Sequence, residues 1–349
     1  MSFTLTHPVL SVESLNECKA LYDLFQALDL AFVKQVLERS YGLKRRGRHP
    51  RSLLGQFKTE LFKRVARIEG YDELYRLIDN DKDLSLLCDI KEGEKPYHPS
   101  TLSRFRKRIG PEALEEIMAR CVKQLDQMKV LDARTVALDA VFIKAYSRRD
   151  PNDSRRGLSD IEARLRKQGG TVTLGYGVHL AVDTKSEMPL GVVVEPANMN
   201  EKKATPTLLK KTIRRRRKRK VRHVVADSQY SSQAVREEVK RLRAKPVIPY
   251  PRNQAKGKRV LRVDRKFRSH GPANLKRLYR KRPAVERVVS RLKTYFGLRQ
   301  LRTRGLRNVL THVLLCFIAL LANALSAIKQ GLPHRIRSSI QLTKLTWRR

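Results

Sequence analysis

The stretch "HVVAD", residues 223–227, reads as a short apolar strand closed by an acid. A strand without polar alternation is covered on both faces, as in a parallel sheet. Working outward, "RTVALDAVFI" (134–143) is a second β-rich apolar run with one acid, Asp139, set in it. "VTLGYGVHLAVDTKSEMPLGVVVEPAN" predicts two strands joined by a turn at 183–189. "EKKATPTLLKKTI" and "SSQAVREEVKRLRA" on either side of "HVVAD" carry helical spacing, and "KPVIPYP" is a further short strand. The order is three strands, helix, strand, helix, strand, a basic insert around 250–275, a helix and a final apolar helix. That order specifies a mixed α/β domain whose sheet is covered by helices.

Upstream of 128 the texture is helical. "SLNECKALYDLFQALDLAFVKQVLERSY", "SLLGQFKTELFKRVARI" and "YDELYRLIDND" precede "HPSTLSRFRKRIGPEALEEIMARCVKQLDQM". In that last stretch Pro99 and Ser100 signal a helix start, and Gly110-Pro111 an end. The segment between them carries Arg104, Arg106, Lys107 and Arg108. It suits either the second helix of a helix-turn-helix or a solvated basic face. The segment 146–171 is turn-rich, charged and poor in apolar residues, so a surface excursion is expected, with Asp150 and Asp153 as spare acids. "RRRRKRK" (214–220) reads as a solvated helix end that favours polyanions.

Charge narrows the partner. The 349 residues hold 76 Lys and Arg against 34 Asp and Glu, a formal net of +42. Self-repulsion on that scale is relieved by a polyanion, of which nucleic acid is the default. The cysteines (Cys18, Cys88, Cys121, Cys316) show no CxxC spacing and are too few for a disulfide scaffold. A reducing cytosol follows, and the first residues show no secretory signal. "VLTHVLLCFIALLANALSAI" (309–328) is long and apolar enough to resemble a membrane span. Polar interruptions and the lack of a second span favour a core helix instead.

The acids carry the chemistry. Asp139 and Asp227 are expected at or near strand ends of one sheet, where α/β sheets gather ligands, although Asp227 before "SQYSS" also suits an N-cap. The stretch "YRKRPAVERVVSRLK" (279–293) adds Glu286, one acid among six basic residues. Pro283 is well placed in a first helical turn. A helix starting there stacks Val285, Val288, Val289, Leu292 and Phe296 into an apolar stripe. Glu286 and Lys293 share the neighbouring stripe, with Arg282 and Tyr279 projected onto the same side. Three carboxylates in a basic cleft repel one another unless a divalent cation joins them. Two such ions can serve in-line phosphodiester displacement.

These residues resemble the DDE transposases of bacterial and archaeal insertion sequences, within the insertion sequence 4 and 5 superfamily. Tyr279, Arg282, Glu286 and Lys293 fit that family's Tyr-(2)-Arg-(3)-Glu-(6)-Lys signature. Asp139 in "VALDAVFIKAY" and Asp227 in "VVADSQYSS" fit the contexts of its first two acids, and "GRHPRSLLGQFKTELF" and "PSTLSRFRKRIG" look like its helical N-terminal domain.

The resemblance implies a ribonuclease-H-like catalytic domain over 129–331, a DNA-end-binding helical domain over 1–128 and a basic tail over 332–349. It implies Asp139, Asp227 and Glu286 as ligands of two Mg²⁺ ions, with Mn²⁺ as a substitute. It further implies cleavage at the element's ends and transfer of the freed 3′-hydroxyl to target DNA. Tyr279, Arg282 and Lys293 would contact end DNA, and Arg104, Arg106, Lys107 and Arg108 would serve recognition of the terminal inverted repeats. The expected partner is double-stranded DNA, with no membrane, a homodimer on paired ends, and a prokaryotic cytoplasmic, nucleoid-associated location. Ala140-Val141 stand where many relatives carry small hydroxyl residues, and the short insert before Glu286 differs from members with a large β-domain there. The alternatives are a ribonuclease-H-like nuclease or resolvase that cuts without joining, and a domesticated DNA-binding protein without catalysis.

Phosphate contacts release counterions, so DNA affinity should fall by about 10³-fold or more between 50 and 200 mM salt, measured by filter binding or anisotropy. A flat response contradicts the role given to the basic surface.

Overall fold

In the computed structural model, His223–Val225 is a strand paired in parallel with Thr135–Ala137. The structure describes residues 12–42, 50–147, 158–168, 170–213, 221–251, 254, 260–264, 266 and 268–338. Asp150, Asp153, the Arg214–Lys220 run and residues 339–349 lie outside them. The helices α1 (Val12–Ala27), α2 (Leu30–Tyr41), α3 (Leu53–Val65), α4 (Tyr71–Asp79), α5 (Lys82–Leu87) and α6 (Pro99–Gln127) come first. Then follow β1 (Thr135–Lys144), β2 (Arg164–Gln168), β3 (Thr171–Asp183), β4 (Pro189–Pro196), α7 (Glu201–Ile213), β5 (His223–Val225), α8 (Gln233–Arg241) and β6 (Lys245–Val247). The insert holds a small pair of strands, β7 (Arg262–Val263) and β8 (Ser269–His270). The chain continues with α9 (Ala273–Tyr279), α10 (Pro283–Tyr295) and α11 (Leu306–Lys329). It divides into two compact units. One runs to Cys121 and takes in 295–297 and the chain from Ile318; the other is Val122–Thr294 with Leu298–Phe317.

The second unit is built on the sheet. β3 pairs antiparallel with β1 and with β4, while β5 pairs parallel to β1 and β6 parallel to β5. Its backbone order is therefore β4-β3-β1-β5-β6, a three-stranded meander continued by two parallel strands. That is the ribonuclease-H-like arrangement. The meander forms because only a turn, Thr184–Met188, separates β3 from β4; α7 makes the crossover to β5 and α8 the one to β6. Gly175 of β3 pairs with Lys144 of β1 and also with Arg164 of β2, so β2 lies on the edge of β3 away from β1. β2 is a departure from the sequence reading, which takes this segment as surface excursion. Its basic residues are tolerated because an edge strand keeps one flank in water.

α11 confirms the core-helix reading of the 309–328 stretch: its most apolar window is 94% buried inside the protein. All four cysteines are buried thiols.

In the helical unit the expected end at Gly110-Pro111 is a kink instead. Gly110 takes φ 68° and ψ 175°, and the helix resumes at once within α6. Glycine alone adopts that conformation without strain, and proline is suited to restarting the helix behind it. The four cations of this segment also part company. Arg104, Lys107 and Arg108 are exposed, and Arg108 stacks on the Tyr41 ring at 4.4 Å. Arg106 turns inward. Its guanidinium lies 2.5 Å from the fully buried Glu60 and also hydrogen-bonds the Tyr71 hydroxyl. Burial would raise the Glu60 carboxyl, but the charges of Arg106 and Arg64 hold it below its ordinary value. The expectation that Arg106 reads DNA is thereby corrected: a buried carboxylate needs cationic partners, and Arg106 is committed to Glu60 together with Arg64.

Arg106→Ala should therefore lower unfolding free energy by about 3 kcal/mol, whereas Arg104→Ala should stay within about 0.5 kcal/mol. Denaturant titration checks both. A fully stable Arg106→Ala that loses DNA affinity returns the residue to the DNA surface.

Candidate active site

The register of the sheet brings two acids level. Ala137 of β1 is the partner of Val225, the last residue of β5, and each chain reaches its aspartate two residues later, at Asp139 and Asp227. Asp139 does not end its strand as the sequence reading expects. β1 runs on to Lys144, paired with β3, and Asp139 stands in mid-strand opposite Leu180. What ends there is the parallel pairing, and a ladder stopping short leaves a crevice of the kind where α/β sheets place ligands. Asp227 is also the local cap foreseen for it, accepting the Gln229 amide at 2.9 Å at the start of the 3-10 turn Ser228–Tyr230. Capping engages Oδ1, and Oδ2 takes no part in that bond.

Glu286 comes from α10, which begins at Pro283 and buries Ala284, Val285, Val288 and Leu292. The predicted stripe is present, with Val289 at its half-buried margin. The rotation of this helix is pinned from outside its apolar face. Arg287 and Arg291 reach the buried Glu187 of the β3–β4 turn at 2.8 and 2.9 Å. Neither Glu187 nor its two partners is singled out by the sequence, because the pairing spans about a hundred residues.

Arg282 joins the acids. Its guanidinium lies 2.6 Å from Glu286 and 3.8 Å from Asp139. Burial would lower its pKa, and Asp139, Glu286, Tyr279 and Asp227 together raise it. Asp139 responds in the opposite sense to an ordinary ion-paired acid. Burial pushes its carboxyl up to about 6; Arg282 and the Ala140 amide oppose this, and the charges of Asp227 and Glu286 add to it. Tyr279 packs with Leu275 and Leu278 of α9 on the Val225–Val247–Leu261 cluster, and its phenol is raised by burial and lies in the field of all three acids. Lys293 is half-buried, lowered by burial and by Arg299, with Asp139 opposing. The structure thus brings Asp139, Asp227, Glu286, Tyr279, Arg282 and Lys293 into one electrostatic neighbourhood. Arg104, Arg106, Lys107 and Arg108 belong to the other unit.

Among the described residues no three metal-capable side chains close tightly around one point. The donor set nevertheless fits a divalent cation. It offers three carboxylates, the oxygen ligands that such ions take, and their mutual repulsion is answered by a single guanidinium bridging two of them. Sequence reading missed two further residues of this neighbourhood. Tyr230 and Glu201 both sense Asp227. Tyr230 lay within the quoted "ADSQYSS", and Glu201 passed as an ordinary helix start.

Comparison with known proteins follows the geometry. The family described as "Transposase DDE domain" matches residues 131–322, and "Transposase domain (DUF772)" matches residues 11–108. No curated protein sequence matches the chain. A solved piggyBac transposase synaptic complex with hairpin DNA is 11% identical, at a TM-score of 0.43 over 94% of this chain and 81% of that one. A Mos1 mariner paired-end complex with Mn is 14% identical, at 0.22 over 68% and 78%. Both likenesses are too distant to bear on function.

The raised Asp139 sets a pH dependence in metal-free buffer. The folded protein holds this proton up to about pH 6, whereas the unfolded chain releases it near 3.8. The folded state binds more protons across that window, so this group's contribution to stability falls as pH rises from about 4 to 6. Asp139→Asn should remove that slope and raise stability above pH 6, by on the order of 2 kcal/mol. Urea titrations across pH check this, and an unchanged slope contradicts the placement of Asp139.

Proposed function

The chain belongs to the transposase DDE domain family and is a DNA transposase; we propose that Asp139, Asp227 and Glu286 are its catalytic acids, within the insertion sequence 4 and 5 superfamily. The observation that carries this assignment is the convergence of the three acids, with Arg282 between two of them, at the end of the β1–β5 ladder. Tyr279, Arg282, Glu286 and Lys293 are the members of the Tyr-Arg-Glu-Lys signature in this reading.

The three carboxylates would hold two Mg²⁺ ions, with Mn²⁺ able to substitute. When bound, the ions supply Lewis acidity for the attacking oxygen and charge stabilisation for the leaving one. The chain's own groups do the rest. Arg282, which lies between Asp139 and Glu286, would present its guanidinium to a phosphate of the DNA, the bidentate pairing for which arginine is suited. Tyr279 and Lys293 hold the strand beside it. The acids then serve hydrolysis at the element's end and attack of the freed 3′-hydroxyl on target DNA.

The helical region to about 128 recognises the terminal inverted repeats through Arg104, Lys107 and Arg108, and the 129–331 region carries catalysis. Two copies act on paired ends, in a prokaryotic cytoplasm at the nucleoid. The excess of cations over acids in the chain supports the polyanionic partner.

The test is a strand-transfer assay with pre-cleaved end DNA and Mg²⁺. Joined products are expected from the native protein, and Glu286→Gln should reduce them by about 10³-fold or more while end binding stays near the native level. Hydrolysis without joining would favour a resolvase-like nuclease. Lost end binding in the variant would make Glu286 a structural residue.

A further inference from the structure

The turn that follows Asp227 carries a side chain for which the site described above has no use. Tyr230 is fully buried (0% exposed), yet its hydroxyl has no hydrogen-bond partner among the described residues. A buried hydroxyl left without a partner costs roughly 1–3 kcal/mol, so such a group marks a place where something else binds. The charges that bear on it most strongly are, in order, Glu201, Asp139 and Asp227. Tyr230 also sits in the 3-10 turn that Asp227 caps, three residues after that acid. Burial and these acids push its ionisation well above the usual value, so it keeps its proton and remains a donor.

Glu201 belongs to a neighbouring element. It is the first residue of α7, a helix that packs on the 3-10 turn Ser228–Tyr230. Glu201 and Gln229 line one cleft of about 420 Å³. Arg166 of β2 donates to Glu201 Oε1 at 3.1 Å, which orients the carboxylate and leaves Oε2 for another partner. Burial raises this carboxyl; Arg166 opposes the rise and the Asp227 charge adds to it. Arg166, Lys167 and Lys202 also line this cleft, but Arg166 is engaged by Glu201, and the Tyr230 hydroxyl lies in the field of Glu201, Asp139 and Asp227. A hydrated divalent cation accepts carboxylate oxygens and presents waters that a phenol can bond.

We propose that Glu201 is a fourth carboxylate of the divalent-cation site and that the Tyr230 hydroxyl hydrogen-bonds the cation's water on the Asp227 side. The inference rests on the reading of Asp139, Asp227 and Glu286 as cation ligands and extends that ligand set. It also gives the Arg166–Glu201 ion pair a task, which is to hold the fourth acid in position.

The experiment titrates Mn²⁺ alone into the full chain without DNA, followed by the electron paramagnetic resonance of the free ion. Native protein is compared with Glu201→Gln, Tyr230→Phe and Asp227→Asn, and each thermal midpoint is recorded in metal-free buffer. Tyr230→Phe removes only an unpartnered oxygen, so its midpoint should not fall. Its Mn²⁺ affinity should drop severalfold, and that of Glu201→Gln by about tenfold. Native affinity in both variants, with binding lost in Asp227→Asn, overturns the proposal and leaves the three-acid reading standing. Glu201→Gln that melts early, beside a Tyr230→Phe of native affinity, makes Glu201 only a partner for Arg166 and also overturns it. Equal binding by native protein and Asp227→Asn removes the three-acid reading itself, and the proposal with it.

Discussion

Mutual repulsion among neighbouring carboxylates, two of them half-buried, is the constraint on which the catalytic unit turns. Asp139, Asp227 and Glu286 share one field, and Asp139 bears the result as a carboxyl pushed up to about 6. Close like charges near a protein surface cost a few kcal/mol per pair. A fold organised only for stability has no reason to bring them together. Arg282 compensates part of this with one positive charge spread over two acids. A divalent cation held by these oxygens would compensate more of it, which is why the arrangement suits the family's chemistry.

The sheet supplies the geometry for that concentration of charge. Strand β1 is antiparallel to β3 along nearly its whole length but parallel to β5 for only three residues. Where the short partner stops, both chains carry an aspartate. The third acid needs a helix fixed in rotation, and α10 is fixed twice, by its apolar face against the interior and by Arg287 and Arg291 on Glu187. The buried turn that holds Glu187 thus positions a helix distant in sequence, and through it Glu286.

Much of this was legible in the residues. Apolar runs ending at or holding an acid revealed β1 and β5, because a buried strand has no alternation to disguise it. Pro283 and the spacing of Val285, Val288 and Leu292 revealed α10. What stayed hidden depends on pairing across long separations. β2 has an edge strand's composition, and "RLRKQ" does not differ from solvated loop. Arg106 looked like its neighbours Arg104, Lys107 and Arg108, since nothing local shows that Glu60 lies buried opposite it. Glu201 and Tyr230 have no local mark of function either; they become informative only when an unpartnered hydroxyl is seen in the turn that Asp227 caps and a cleft is seen between Glu201 and Gln229.

The central claim is that the acids at the end of the β1–β5 ladder form one cation site. Anomalous scattering from Mn²⁺ in crystals of the full chain with end DNA tests it most directly. The account predicts manganese within about 2.0–2.3 Å of carboxylate oxygens of Asp139 and Asp227, with Glu286 released from Arg282 toward it. Manganese bound elsewhere, or none bound while Arg282 still bridges Asp139 and Glu286, would contradict it.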